Sequence, residues 1–228
     1  MRIHPRNWSR TGLATAVLLV AGLLAHPASY ADPNPQVRVT TNMGDFVIEL
    51  LPDRAPLTVA NFLRYVREGY YSGTLFHRVV ANFVIQGGGH SATDYKLKAV
   101  HDPVVNESGN GLQNKRGTVG LARGENPHSG NAQIYVNLVD NPDLDPLPTR
   151  WGYTVFGKVV QGMDVIDRIG VTPTGSVGPF KADTPLKPVI IEKVQIMDSA
   201  AGQPDAPVTP PAPTAVAPAS QDTILSPK

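Results

Sequence analysis

The segment from Phe76 to Gly89 constrains the fold of this chain more than any other part of its sequence. It contains two short runs of β-branched and aromatic residues, and it ends in three consecutive glycines. Such runs favour β-strands, and the glycines favour a turn. Pairing the two runs would aim Arg78 and Gln86 at one surface, beside Phe83. The segment therefore predicts a half-buried strand pair that presents a fixed cation and an amide.

Hydrophobic periodicity divides the rest of the central region into strands and two helices. Val37–Thr41 and Phe46–Leu50 are β-type runs whose short connection predicts a tight hairpin. Apolar residues then recur at helical spacing from Pro56 until Gly69, and again over Gly162–Ile169. Further strands are predicted at Leu75–Val80, Phe83–Gln86, Gly117–Ala122, Gln133–Asn137, Thr154–Val160 and Val189–Met197.

This pattern predicts a mainly β fold with two α-helices. Many short strands with glycine-rich turns are typical of an antiparallel barrel or a sandwich. Each amphipathic helix must cover its apolar stripe, so two helices could close the ends of a barrel. The pattern alone does not choose between barrel and sandwich.

The N-terminal segment has the three-part organisation of a secretory signal. Arg2, Arg6 and Arg10 precede an apolar run over Gly12–Ala25, and Ser29-Tyr30-Ala31 ends in small residues. This order predicts a cleaved signal peptide at residues 1–31. The apolar run has 14 residues, whereas a membrane-spanning helix needs about 20. An uncleaved anchor is therefore the weaker alternative.

The C-terminal segment, residues 200–228, is rich in Pro and Ala and poor in large apolar side chains. Such a composition cannot bury enough apolar surface to offset the entropy of ordering. It predicts a disordered tail or spacer, with a docking role as the weaker alternative. Residues 35–199 remain, and this length fits one domain with a single core.

Charge and composition exclude several classes of function. Removing the three N-terminal arginines changes the formal net charge from +1 to −2, and the rest of the chain has no basic cluster. Nucleic acid is therefore not an expected partner. The histidines are scattered without metal-site spacing, and the glycine run lacks the Lys-Ser/Thr ending of a phosphate-binding loop. We expect neither a metal nor a cofactor.

Arg78, Phe83 and Gln86 together suit a prolyl peptide bond. An apolar surface can hold the proline ring, while polar donors bind the amide at its edge. Rotation about that bond loses amide resonance, and the barrier is about 18–20 kcal/mol. A fixed arginine could stabilise the twisted amide, because the prolyl nitrogen then carries a lone pair. On these residues alone, however, Arg78 could equally be a surface arginine in an ion pair.

Three segments of the sequence resemble those of a known protein family. They resemble, in sequence and order, the segments that build the groove of the cyclophilins, the prolyl isomerase family; the three are Phe76–Gly89, Leu121–Gly124 with Asn131–Asn137, and Leu144-Asp145 with Trp151–Gly157. The resemblance runs from about Val37 to Met197. It implies a closed eight-stranded antiparallel β-barrel capped by two α-helices, a monomer, and no cofactor. Its strongest likeness is to bacterial periplasmic members, which implies a periplasmic location.

The resemblance also implies roles for individual residues. Arg78 matches the catalytic arginine of the family. The implied substrate-binding residues are Phe83, Gln86, Ala122, Arg123, Gln133, Tyr135, Leu144 and Tyr153. Asp143 departs from the eukaryotic pattern, where a tryptophan donates a hydrogen bond to cyclosporin, and Tyr153 stands where many eukaryotic members have His. These departures predict weak inhibition by cyclosporin.

The expected function is peptidyl-prolyl cis-trans isomerisation in unfolded or proline-containing polypeptides, during the folding of exported proteins. Two alternatives remain at this point. One is a proline-binding chaperone or interaction module whose groove holds ligand without useful turnover. The other is an envelope-associated protein that works through its Pro-rich tail. Aromatic residues such as Phe83 and Tyr135 could also be ordinary core residues.

Overall fold

The computed structural model describes residues 34–197, and the segments interpreted as signal peptide (1–31) and tail (200–228) lie outside these residues. No helix within 34–197 is long and apolar enough to cross a membrane. The helices are α1 (Pro56–Arg67), α2 (Met163–Gly170) and a short 3-10 helix (Pro142–Leu144). The strands are β1 (Gln36–Thr41), β2 (Gly44–Leu50), β3 (Thr74–Leu75), β4 (Arg78–Val80), β5 (Val84–Gly87), β6 (Thr118–Leu121), β7 (Ile134–Asn137), β8 (Val155–Gln161), β9 (Thr174–Val177), β10 (Phe180–Pro185) and β11 (Ile190–Met197).

The N-terminal hairpin and both helices form where the sequence predicts them. β1 and β2 pair antiparallel, with Val39 opposite Phe46. Helix α1 starts at Pro56, whose missing N–H would have no partner in the first helical turn. The carboxylate of Glu107, from a distant loop, accepts the backbone N–H groups of Leu57 and Thr58 at 3.0 and 2.8 Å. A side chain far away in the sequence thus caps this helix.

Nine of the described strands form one curled antiparallel sheet. Its order is β3-β11-β1-β2-β8-β6-β7-β5-β4, and β9 and β10 form a separate hairpin. The mainly β architecture with two helices is confirmed. The sheet has nine strands rather than eight, and it leaves β3 and β4 as edges, so the expected closed eight-stranded barrel is not confirmed.

Two parts of the strand pattern differ from the prediction. The single strand expected at Leu75–Val80 is interrupted at Phe76-His77, which divides it into β3 and β4 at opposite edges of the sheet. The reason is that this stretch leaves one edge and joins the other, a change that hydrophobic periodicity does not record. The β9–β10 hairpin was not predicted, because its residues are mostly polar or small and lack an apolar alternation.

The main core lies inside the curl of the sheet and receives the apolar faces of both helices. Phe62 and Tyr65 of α1 and Ile166 and Ile169 of α2 are at most 1% exposed. They pack in one cluster with strand residues such as Phe46. Burial of these helix faces against the sheet stabilises the sheet that carries the candidate functional residues.

Candidate active site

The β4–β5 pair presents Arg78 and Gln86 on one surface, as the sequence predicts. The two residues are directly opposite in the antiparallel register. An Nη1 group of Arg78 lies 3.5 Å from Oε1 of Gln86, and the guanidinium carbon lies 5.8 Å from the centre of the Phe83 ring. The arrangement holds a cation at the edge of an aromatic face, within reach of a side-chain amide.

A second glutamine, Gln133, hydrogen-bonds to Gln86, so that Arg78, Gln86 and Gln133 form a row of polar side chains. Nε2 of Gln86 donates to Oε1 of Gln133 at 3.0 Å, and both residues are 1% exposed. Gly89 makes room for this contact, because a Cβ there would lie 2.5 Å from Cγ of Gln133. Nε2 of Gln133 is buried without an acceptor among residues 34–197. A buried unsatisfied donor is costly, so this N–H is suited to a ligand carbonyl.

The predicted apolar residues form a cluster of their own, separate from the main core. Its buried members are Phe83, Val84, Ala122, Tyr135, Leu144 and Tyr153, with Val80 packed against them. Five of these seven were predicted as substrate-binding residues. The cluster is separate from the main core, and one of its members, Phe83, lies beside Arg78.

Tyr135 supports this cluster from beneath, because it is 0% exposed. Its hydroxyl donates to Oδ1 of Asn114 at 2.6 Å, and burial raises its pKa well above the ordinary tyrosine value. Its cross-strand partner is Gly120. A Cβ at that position would lie 2.2 Å from the tyrosine ring, so the ring needs glycine there.

A network of buried amides under the cluster was missed by the sequence reasoning. Asn114 donates its backbone N–H and side-chain amide to Asp145 at 2.7 and 2.9 Å. Asn141 donates to Oδ1 of Asn137 at 2.7 Å and to the carbonyl of Phe83 at 3.0 Å. The network ties Phe83 to the strands below it. Its only sequence signal was Asp145, which follows the predicted Leu144.

The side chain of Arg123 is used to brace a loop. Its guanidinium donates to the carbonyls of Gly152, Gly124 and Trp151 at 3.2, 2.9 and 3.0 Å. It also lies 4.4 Å from the centre of the Tyr153 ring. These contacts engage the guanidinium within the protein, so the substrate-binding role implied for Arg123 stays a prediction.

Tyr153 closes the cluster on that side. It is 4% exposed and lies edge-on to Tyr135, with ring centres 6.2 Å apart. Burial raises its pKa, and the nearby charges of Arg123, Arg150 and Arg78 oppose that shift. Its hydroxyl therefore stays protonated at neutral pH.

Asp143, the position that departs from the eukaryotic pattern, is exposed beside the buried Leu144. Its backbone carbonyl accepts a hydrogen bond from Arg150 at 2.7 Å. Leu144 follows Asp143 in the short 3-10 helix, and its backbone carbonyl accepts a hydrogen bond from the backbone N–H of Tyr153 at 2.9 Å. Leu144 thus remains part of the apolar cluster, while the side chain of Asp143 is exposed to solvent.

Comparison with known proteins gives the family. The family described as "Cyclophilin type peptidyl-prolyl cis-trans isomerase/CLD" matches residues 36–196. A peptidyl-prolyl cis-trans isomerase from Acinetobacter baylyi is 44% identical over 184 residues, 81% of this chain and 96% of the relative. Peptidyl-prolyl cis-trans isomerase A from Dickeya dadantii is 43% identical over 186 residues, 81% of this chain and 97% of the relative.

Solved structures agree on the fold. A cyclophilin from Hirschia baltica gives a TM-score of 0.59 at 24% identity, covering 75% of this chain and 77% of that protein. The family match includes every predicted site residue, and the two bacterial relatives are covered almost completely. The chain therefore belongs to the cyclophilin-type peptidyl-prolyl cis-trans isomerases.

Proposed function

We propose that this isomerase accelerates rotation about X–Pro bonds by stabilising the twisted amide with Arg78. The proposal rests on the position of the Arg78 guanidinium. The guanidinium of Arg78 lies beside Phe83 and Gln86, at the rim of an apolar cluster that is separate from the main core. A proline ring on the apolar surface would bring its amide to the cation.

The chemistry requires better binding of the twisted amide than of either planar form. When resonance is lost, the prolyl nitrogen gains a lone pair that the permanently charged Arg78 can stabilise. The Arg78 side chain is only 13% exposed, so its field is less screened than that of a surface arginine. An acceleration of about five decades needs roughly 7 kcal/mol of such differential stabilisation.

The two glutamines have a supporting role in this proposal. Gln86 accepts from Arg78 and donates to Gln133, so the row fixes the orientation of both amides. The buried Nε2 of Gln133 then donates to a carbonyl of the substrate backbone. No covalent bond forms and no proton is transferred, because only the torsion of the amide changes.

We also propose that the fold closes as a barrel of eight strands. β3 and β4 form the two edges of the curled sheet, and only Phe76 and His77 separate them in sequence. Counting them as one interrupted strand gives eight strands and joins the two edges. The backbone N–H of Phe76 bonds to the carbonyl of Val189 at 2.9 Å, which continues the β3–β11 pairing through the break.

The proposed substrates are unfolded or proline-containing polypeptides, and the proposed location is the periplasm, after removal of residues 1–31. Support comes from the basic and apolar N-terminal sequence and from the relative named peptidyl-prolyl cis-trans isomerase A. A cyclophilin of Cryptosporidium parvum has been solved in the presence of the dipeptide Ala-Pro. Prolyl isomerisation takes tens to hundreds of seconds unaided, so it limits the folding of many chains.

The test is cis–trans exchange of an Ala-Pro peptide, measured by NMR with wild type, Arg78→Ala and Arg38→Ala. Arg38 is a suitable control, because it is an exposed strand arginine that pairs with Asp45 at 3.5 Å. We expect fast exchange with wild type and the control, and a loss of about a hundredfold or more with Arg78→Ala. Binding without acceleration by wild type would instead establish the proline-binding module.

The tail is tested separately. Deleting residues 200–228 should leave peptide exchange unchanged if the tail is only a spacer. Helices α1 and α2 and the main core cluster all lie within residues 34–197, and the family match ends at residue 196. A loss of localisation or of partner binding on deletion would give the tail a function of its own.

A further inference from the structure

We propose that Asp183 is a positioning residue for Arg78, a role that rests on the proposed function of that arginine. Oδ2 of Asp183 lies 4.0 Å from Nε of Arg78, while Oε1 of Gln86 lies 3.5 Å from Nη1. The two acceptors come from different elements, β10 and β5. They approach different nitrogens of one guanidinium, which restricts its rotation about the end of a flexible side chain.

The β9–β10 hairpin is fastened to the chain next to Arg78. Thr184, which follows Asp183, donates its hydroxyl to the backbone carbonyl of His77 at 2.8 Å. Phe180, at the start of β10, stacks on the ring of His77 with 5.3 Å between centres and lies edge-on to His90 at 4.9 Å. Contacts on both sides of Asp183 therefore fix where its carboxylate can lie.

The backbone at Asp183 departs from regular strand geometry. Its φ is +60°, in the left-handed region, which aspartate adopts more readily than most residues other than glycine. The register of the hairpin shifts between Phe180 and Thr184. Such a shift in register can re-aim the side chains beside it.

The contact acts by orientation rather than by a hydrogen bond, since 4.0 Å is too long for one. The Asp183 side chain is 48% exposed and that of Arg78 is 13% exposed, so solvent weakens the attraction on one side. Its value lies in holding the guanidinium in place before the amide twists, because a preorganised charge needs no rearrangement in the transition state. A residue of this kind changes turnover more than affinity.

The test is Asp183→Asn, with Asp167→Asn as the matched control. Asparagine tolerates a left-handed backbone, so the variant removes the charge without straining the chain. Asp167 has the same side-chain exposure, 48%, and pairs with Arg116 at 2.8 Å. At saturating Ala-Pro peptide we expect exchange to fall about threefold to tenfold in Asp183→Asn, with affinity within about twofold, and no change in the control.

An Arg78→Lys background separates positioning from general damage to the fold. If Asp183 acts through the guanidinium, adding Asp183→Asn to Arg78→Lys costs no further activity. Full activity of the single variant, or an equal loss in both backgrounds, would overturn the proposal. If wild type itself does not accelerate exchange, the proposed function is wrong. The positioning is then decided by the NMR signal of the Arg78 Nε–H, which should move in Asp183→Asn and not in Asp167→Asn.

Discussion

Replacing Tyr135 with phenylalanine tests how the apolar cluster is supported. The substitution removes one hydroxyl, whose hydrogen bond to Oδ1 of Asn114 measures 2.6 Å in a fully buried setting. The ring, its place opposite Gly120 and its edge-on contact with Tyr153 remain. We therefore expect the variant to lose stability while it keeps isomerase activity within about twofold.

The expected loss of stability depends on the hydrogen bonds that Oδ1 of Asn114 retains in the variant. A typical buried hydrogen bond contributes about 0.5–1.5 kcal/mol, and an acceptor left unsatisfied costs about 1–3 kcal/mol. Oδ1 of Asn114 still accepts a hydrogen bond from the side-chain amide of Asn137 at 3.3 Å, so it loses only one of its two donors. We expect the free energy of unfolding to fall by about 1–2 kcal/mol, which lowers Tm by about 2–8 °C in a domain of this size.

The assay is urea unfolding followed by circular dichroism, with peptide exchange measured on the same preparation. Tyr71→Phe is the matched control, because Tyr71 is 1% exposed and donates to the carbonyl of Ala132 at 2.9 Å in the main core. Both variants should lose similar stability and retain activity. A Tyr135→Phe variant that is fully stable but loses tenfold or more of its exchange rate would refute the supporting role.

Gly120→Ala should displace the Tyr135 ring, since its Cβ would lie 2.2 Å from that ring. We expect a loss of about 1–3 kcal/mol in urea unfolding and lower peptide exchange, and unchanged values would contradict the packing. Exchange at saturating peptide should be flat between about pH 7 and 9, because Arg78 stays charged and burial raises the Tyr153 pKa, so that its hydroxyl stays protonated. A steep rise or fall in a pH titration of the rate would implicate a titrating group. Cyclosporin should inhibit weakly, because Asp143 is an exposed carboxylate where eukaryotic members have Trp. Nanomolar inhibition of the purified protein would overturn that expectation.

Local pattern was sufficient to predict the strand pair that carries the site. Arg78 and Gln86 share a face because side chains alternate along a strand and the break between the two runs is short. Both helices were predictable for a similar reason, since their apolar residues recur at helical spacing. The family resemblance supplied the residues that lie far apart in sequence, such as Tyr135 and Tyr153.

Contacts between distant elements were not predictable from the sequence. Asn114, Asn137 and Asn141 look like ordinary polar loop or strand residues, and their burial depends on the pairing of β5, β6 and β7. Asp183 belongs to a mostly polar hairpin that has no apolar alternation. Its approach to Arg78 depends on the packing of that hairpin beside β4.

In the proposed mechanism, Arg78 stabilises the twisted amide rather than the bound peptide. The most direct test measures the affinity and the exchange rate of one Ala-Pro peptide together, by NMR titration of wild type and Arg78→Ala. We expect Arg78→Ala to bind the peptide within about threefold of wild type, while exchange at saturation falls by about a hundredfold or more. An equal loss of affinity and exchange, or exchange that survives the substitution, would contradict it.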